Sequence, residues 1–178
     1  MRRRAIVGFI AVLAASALVV GMSVAVAGAK AKPPPLCAGK TKAAAFKAIK
    51  VAYDHFLNGQ KFPDAPQKEP YIEHLSPPGV NAELVTLFED SATKNADSAK
   101  LTNVKVNKIT CAGKKKANVD FTLIFNGAPL EGIAPADAAA VLSGKTWKVT
   151  DDTLCNLTAA GDASVLESGP CYDVITGP

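Results

Sequence analysis

From Ala117 to Asn126 two series of side chains interleave without a break: Ala117, Val119, Phe121, Leu123 and Phe125 against Asn118, Asp120, Thr122, Ile124 and Asn126. A period of two sends each series to its own side of a pleated strand, so this segment is a strand with one face in a core. An earlier segment obeys a different period. Between Thr41 and Asn58, Phe46, Ile49, Tyr53, Phe56 and Leu57 recur at helical spacing, with Thr41 as a candidate N-cap and Gly59 as a candidate C-cap. A helix followed by strands is the order of an α+β domain, in which helices cover one face of an antiparallel sheet.

The rest of the chain fills in that plan. Residues 60–80 carry Pro63, Pro66, Pro70, Pro77 and Pro78, which exclude a long helix and leave room for one short turn around Tyr71–Leu75. Leu84, Leu87 and Phe88 mark a brief helix from Asn81 to about Ser91. Leu101–Thr110 reads as a strand with Val104 and Val106 on one face, turning at Ala112-Gly113-Lys114 into the alternating strand. Asn126-Gly127 is a turn signal, and Ser143-Gly144 separates Ala138–Leu142 from Thr146–Thr150 as a two-residue hairpin loop. The expectation is a meander of three to four strands wrapped on the N-terminal helix. Trp147 and Val149 share a face, so Trp147 is expected to be a core anchor beside Phe121, Leu123 and the helix stripe. A helical turn over Leu154–Ala159 precedes a tail held by Cys171.

Ahead of this domain, Met1-Arg2-Arg3-Arg4 leads into an uncharged run from Ala5 to Ala29 that ends in small residues. That is the pattern of an export signal over 1–29, cleaved after Ala27 or Ala29; the run is also long enough to remain as an uncleaved anchor. A basic, proline-rich stalk follows over 30–36, and a single domain is expected over 37–178. The expected location is secreted or in the cell envelope, with membrane contact only through an uncleaved N-terminal segment.

Cys37, Cys111, Cys155 and Cys171 all lie past the run, and an even number in an oxidising compartment reads as two disulfides. Three connectivities are open. The short loop between Cys155 and Cys171 closes at little entropic cost, which favours that pair and leaves Cys37 with Cys111. No C-x-x-C spacing or clustered histidine suggests a metal, and no cofactor is expected.

The formal charge of +4 belongs mostly to the leader: without Arg2, Arg3 and Arg4 the chain has 17 basic and 16 acidic residues, and no arginine. The bidentate contacts on which phosphate and base readout rest are therefore missing, which argues against nucleic acid. Lys114-Lys115-Lys116 reads as a solvated turn.

Gly144-Lys145-Thr146-Trp147-Lys148-Val149-Thr150, then Thr153-Leu154-Cys155-Asn156-Leu157, together with the helix ending Ala52-Tyr53-Asp54-His55-Phe56-Leu57-Asn58-Gly59, resembles a family of small exported actinobacterial proteins. These are similar to the C-terminal domain of the low-molecular-weight secreted mycobacterial antigen. The likeness runs from Thr41 to about Gly161. It implies a cystatin-like, nuclear-transport-factor-2-like cone in which a curved sheet wraps the first helix, and several such proteins carry a second cysteine near the C-terminus, as Cys171 does here. It brings no established reaction.

Candidate chemistry is sparse. Asp54-His55 is the nearest thing to an acid–base pair for a cone mouth, and His74 could complete one with Glu73 or Asp54, but Asp54 and His55 are adjacent on a helix and do not share a face. Asp151-Asp152 reads as a solvated turn at a strand end, with a weak cation site as the alternative. No G-x-S-x-G elbow is present. The leading expectation is thus a non-enzymatic exported protein that binds a protein partner or small apolar ligand. The alternative is a cone-cavity isomerase or hydrolase of a small hydrophobic compound, with Asp54, His55 or His74 as base.

Overall fold

The computed structural model describes Cys37 and residues 42–177. The export segment 1–29, the stalk 30–36 and the Thr41 cap lie outside the described residues. Contacts divide the chain into Met1–Lys32 and Pro33–Pro178, and every described residue falls in the second unit. Among the described residues no helix is long and apolar enough to cross a membrane.

Helix α1 (Lys42–Leu57) buries Ala45, Ile49, Ala52, Tyr53 and Phe56, one stripe at the 3.6-residue period. Phe46 and Leu57 are only half-buried, because the stripe is turned toward the two alanines. Small side chains there let the helix backbone approach the sheet. Each of Ile49, Tyr53 and Phe56 contributes about 1.5–3 kcal/mol by leaving water.

The sheet comprises β1 (Thr102–Cys111), β2 (Lys116–Phe125), β3 (Ala128–Leu130), β4 (Ala139–Ser143) and β5 (Thr146–Val149), all antiparallel, in the order β1-β2-β4-β5 with β3 also on β2. It curls as a half-barrel with α1 packed against β5 and β1, which is the expected α+β cone with one short strand more. β3 and β4 share one side of β2: β3 pairs its end at 123–125 and β4 its start at 116–118. The Tyr53 hydroxyl donates to the Ala139 carbonyl at 3.0 Å, and its ring meets Phe121 at 5.3 Å between centroids. Trp147 is 4% exposed in the same core.

Strand β1 keeps its apolar face by a bulge. Val104 and Val106 pair with Leu123 and Phe121, then Asn107 is skipped, and Ile109 and Cys111 pair with Val119 and Ala117. Without the extra residue Lys108 and Thr110 would point into the core; with it, the bulge resets the alternation. The Asn107 side chain donates to Thr122 Oγ1 at 2.9 Å on the outer face.

Turn chemistry follows the residues. Asn126 and Gly127 both have positive φ, 48° and 81°, the two-residue type I′ geometry that joins β2 to β3. The β4–β5 hairpin closes on Ser143 and Thr146, so its loop is Gly144-Lys145, one residue later than the Ser143-Gly144 expected. Gly144 takes the left-handed φ of 61°.

The proline-rich segment has a short turn at Glu73–Leu75, within the range expected, and more structure ahead of it. Helix α2 (Ala65–Lys68) and a 3-10 turn (Glu69–Tyr71) precede the position foreseen, with Pro66 and Pro70 in first-turn positions where a missing N–H costs nothing. Ile72 instead bridges Val149 in parallel, and Glu73 N–H donates to the Val149 carbonyl at 2.8 Å, covering the outer edge of β5. Helix α3 (Ala82–Lys94) outruns its expected end at Ser91, and α4 (Ala96–Ala99) follows it. Nor is Gly59 a left-handed cap: a Cβ there would sit 1.9 Å from the Ala99 carbonyl oxygen, so glycine serves close packing against α4.

Helix α5 (Asp151–Gly161) starts three residues before the helical turn foreseen, with Thr150 as its cap, and α6 (Pro170–Thr176) ends the described chain. Two disulfides join Cys37 to Cys111 and Cys155 to Cys171, the pairs that the short ring favours; the second fastens α6 to α5.

Candidate functional site

The structure separates the three residues considered for acid–base chemistry. Asp54 accepts from Asn58 Nδ2 at 2.8 Å and pairs with Lys61 Nζ at 2.9 Å. Partial burial pushes its carboxyl up, but these hydrogen bonds outweigh that and hold it below the usual carboxylate range. His55 lies between the rings of Phe62 and Tyr71, 3.7 and 3.9 Å between centroids and 21° from parallel in both cases. Its Nδ1 faces the Gln67 carbonyl at 3.1 Å, an acceptor only, so Nδ1 carries the proton. His55 thereby fastens α2 and the following turn to α1, a structural task.

His74 stands elsewhere, in the loop that leads from the β5 edge to α3. Its backbone has a φ of 49°, and Gly79, with a φ of 83°, leaves room for the ring, since a Cβ there would come within 3.2 Å of His74 Cδ2. Asn81 closes the loop by donating its N–H to the His74 carbonyl at 2.8 Å, while its side chain caps α3. The half-exposed imidazole meets Asp151 through Nδ1 and Oδ2 at 2.5 Å.

Asp151 corrects the sequence-based expectation. It is not part of a solvated turn but the first residue of α5, 7% exposed. Thr150, by accepting the Thr153 N–H and lying beside the Ala139 carbonyl, holds the start of this helix against β4. Asp151 Oδ1 is buried with no hydrogen-bond partner. Burial pushes the carboxyl up to about 6, although His74 opposes the shift. Lys148, which alternates with Trp147 on β5, is buried too, and its ammonium donates to Ser76 Oγ at 2.8 Å and to the Ser76 and Pro77 carbonyls. Those three acceptors offset the cost of its burial.

Glu73, His74, Asn81, Asp151, Asp152 and Asp173 thus border one open pocket of about 530 Å³. The sequence held a signal for Asp151: carboxylates immediately after a Thr at a strand end are the first turn of a capped helix. Nothing in it linked position 151 to position 74.

A second pocket, about 400 Å³, occupies the end of the half-barrel where α1 and β2 finish. Phe56, Leu57, Phe88, Phe125, Leu130 and Leu157 supply much of its apolar lining. Lys68 also lines it, 8% exposed, and forms no ion pair or side-chain hydrogen bond among the described residues. Burial pulls its ammonium below the usual lysine range, partly offset by Asp64. A larger groove, about 760 Å³, runs along the outer side of α1 beside Val104 and Val106, edged by the exposed Lys47 and Lys50. The interior of the half-barrel is filled by Tyr53, Phe121, Leu123, Trp147 and Val149.

No curated protein and no solved structure matches the chain. Residues 79–164, from the loop before α3 to just past α5, match the family described as the low molecular weight antigen MTB12, C-terminal domain, the family that the Gly144–Leu157 motifs resemble; the helix motif at 52–59 lies outside the matched residues.

Proposed function

We propose that this is an exported, extracytoplasmic binding protein that takes a small, mainly apolar ligand with an anionic end into the pocket where α1 and β2 finish. The carrying observation is the pairing of an apolar lining with Lys68, whose stem is packed and whose ammonium makes no ion pair among the described residues. A pocket of this size accepts a ligand of modest length, and few polar groups suffice to orient it. The Lys68 ammonium is only partly hydrated and makes no direct ion pair among the described residues, so a carboxylate or similar head that meets it gains a charge-assisted hydrogen bond. Export is supported by Arg2-Arg3-Arg4 ahead of the apolar run and by the two disulfides. A binding role is supported over an enzymatic one by the filled interior and by the separation of Asp54 and His55 from His74.

Titration with decanoate, followed by backbone amide resonances, tests this. Saturable shifts are expected at Phe125, Leu130 and Leu157, with decylamine binding at least about tenfold more weakly, which corresponds to about 1.4 kcal/mol. Lys68→Met, which keeps the apolar stem, should erase the preference for the acid, and Ala92→Trp should fill the pocket and abolish both. Absence of saturable binding by decanoate and by decanol would overturn the reading.

A further inference from the structure

We propose that Glu73, His74 and Asp151 form a binding site for a divalent transition-metal cation of the zinc type. One donor atom from each of the three lies within 4.8 Å of the others. Around a zinc ion with bonds of about 2.1 Å, tetrahedral ligand atoms stand about 3.4 Å apart, so small side-chain rotations bring this trio onto a common ion. An imidazole nitrogen with two carboxylate oxygens suits zinc, whereas calcium and magnesium prefer oxygen throughout.

The independent observation is Asp151 Oδ1. Its carboxylate is more than nine-tenths buried, and this oxygen has no hydrogen-bond partner, while Oδ2 is engaged by His74. Native proteins seldom leave such an acceptor alone, because its desolvation then goes uncompensated. A cation bound to this carboxylate offsets the charge that burial leaves uncompensated. The surroundings favour positive charge as well: Asp152 and Asp173 line the same pocket. Two features oppose it. Lys148 interacts with both Glu73 and Asp151, and the start of α5 carries the positive end of its dipole. Lys148 is directed to Ser76 and Pro77, and the four carboxylates outweigh both.

The ligands come from two separate elements, the loop at 73–74 and the start of α5, so a bound ion would clamp the β5-edge loop onto the helix. The pocket side of the ion stays open, leaving a coordination position for water or for a donor group of a partner molecule.

The test is calorimetric titration of the purified, chelator-stripped protein with Zn²⁺ alone, accompanied by imidazole resonances. One saturable site is expected, moving the His74 ring signals and leaving those of His55 in place. Glu73→Gln and His74→Gln, on exposed or half-exposed side chains, should each weaken binding at least about tenfold. No saturable binding of Zn²⁺, or binding that perturbs His55 instead of His74, or binding that survives both substitutions unchanged, would overturn the proposal. Any of those outcomes leaves a proton or a water as the partner of Asp151 Oδ1. The His74 signals of the unsubstituted protein decide the matter even if a variant folds poorly.

Discussion

Helix α5 serves two pockets of opposite character. Its first residues, Asp151 and Asp152, border the acidic pocket, and three to ten residues later Leu154, Leu157 and Gly161 border the apolar one. The difference follows from what each end of the helix meets. The N-terminal end carries unpaired N–H groups and a positive dipole, so carboxylates are tolerated there even at low exposure. Further along, the helix crosses the end of the half-barrel, where only apolar side chains repay burial. The acidic pocket is built from loop and helix ends and joined by polar contacts; the apolar one is built from packed flanks of α1, α3 and α5.

The strongest blow to both at once is Trp147→Ala. A large buried aromatic in the shared core leaves a cavity, so the loss should be about 3–5 kcal/mol, read as a lower denaturant midpoint. An unchanged midpoint would mean that Trp147 does not support either pocket.

Opening the Cys155–Cys171 bond by a double alanine substitution should separate the two. The ring spans a sequence separation of 16, for which the loss is about 3 kcal/mol. Asp173, Val174 and Gly177 of the C-terminal segment line only the acidic pocket. At a temperature where the variant stays folded, Zn²⁺ binding should therefore weaken while decanoate binding persists. Equal loss of both would show that α6 supports the apolar pocket as well.

The smallest expected effect is a pH slope. Asp151 titrates near 6 in the folded protein against 3.8 unfolded, because burial disfavours its charge. The native state therefore holds the proton more tightly, and this residue's contribution to stability is greatest below pH 4 and is lost as pH rises through 6. Its full ionisation costs on the order of 1–2 kcal/mol once residual solvent access is allowed for. The difference in stability between the wild type and Asp151→Asn, measured across pH 4–7, should trace that loss; a difference independent of pH would contradict it.

Much of the architecture was legible because it depends on local periodicity. The alternation over 117–125, the helical stripe around Ile49 and Tyr53, the Asn126-Gly127 turn and the short cysteine ring all express constraints that act within a dozen or so residues. The bulge in β1 was not read from the sequence: only the pairing with β2 shows that Asn107 is skipped so that Val104, Val106, Ile109 and Cys111 keep one face. Boundaries failed where side-chain hydrogen bonds extend an element: α3 runs past Ser91 to end where the Asn95 side chain donates to the Ser91 carbonyl at 2.9 Å, and α5 begins at Asp151 under its Thr150 cap.

What the sequence determined by itself is the order of helix and sheet, the half-buried strand, the disulfide-bearing domain and the unsuitability of Asp54 beside His55 as a pair. Only the tertiary structure decided which polar residues leave water. Lys68, Lys148 and Asp151 look like surface charges in the chain, and each is buried. His74 finds Asp151 across 77 positions because the loop bridging β5 delivers it to the start of α5. The physical reason is that burial and charge pairing depend on which surfaces are brought together in space, and a side-chain period reports only which face of its own element a residue occupies.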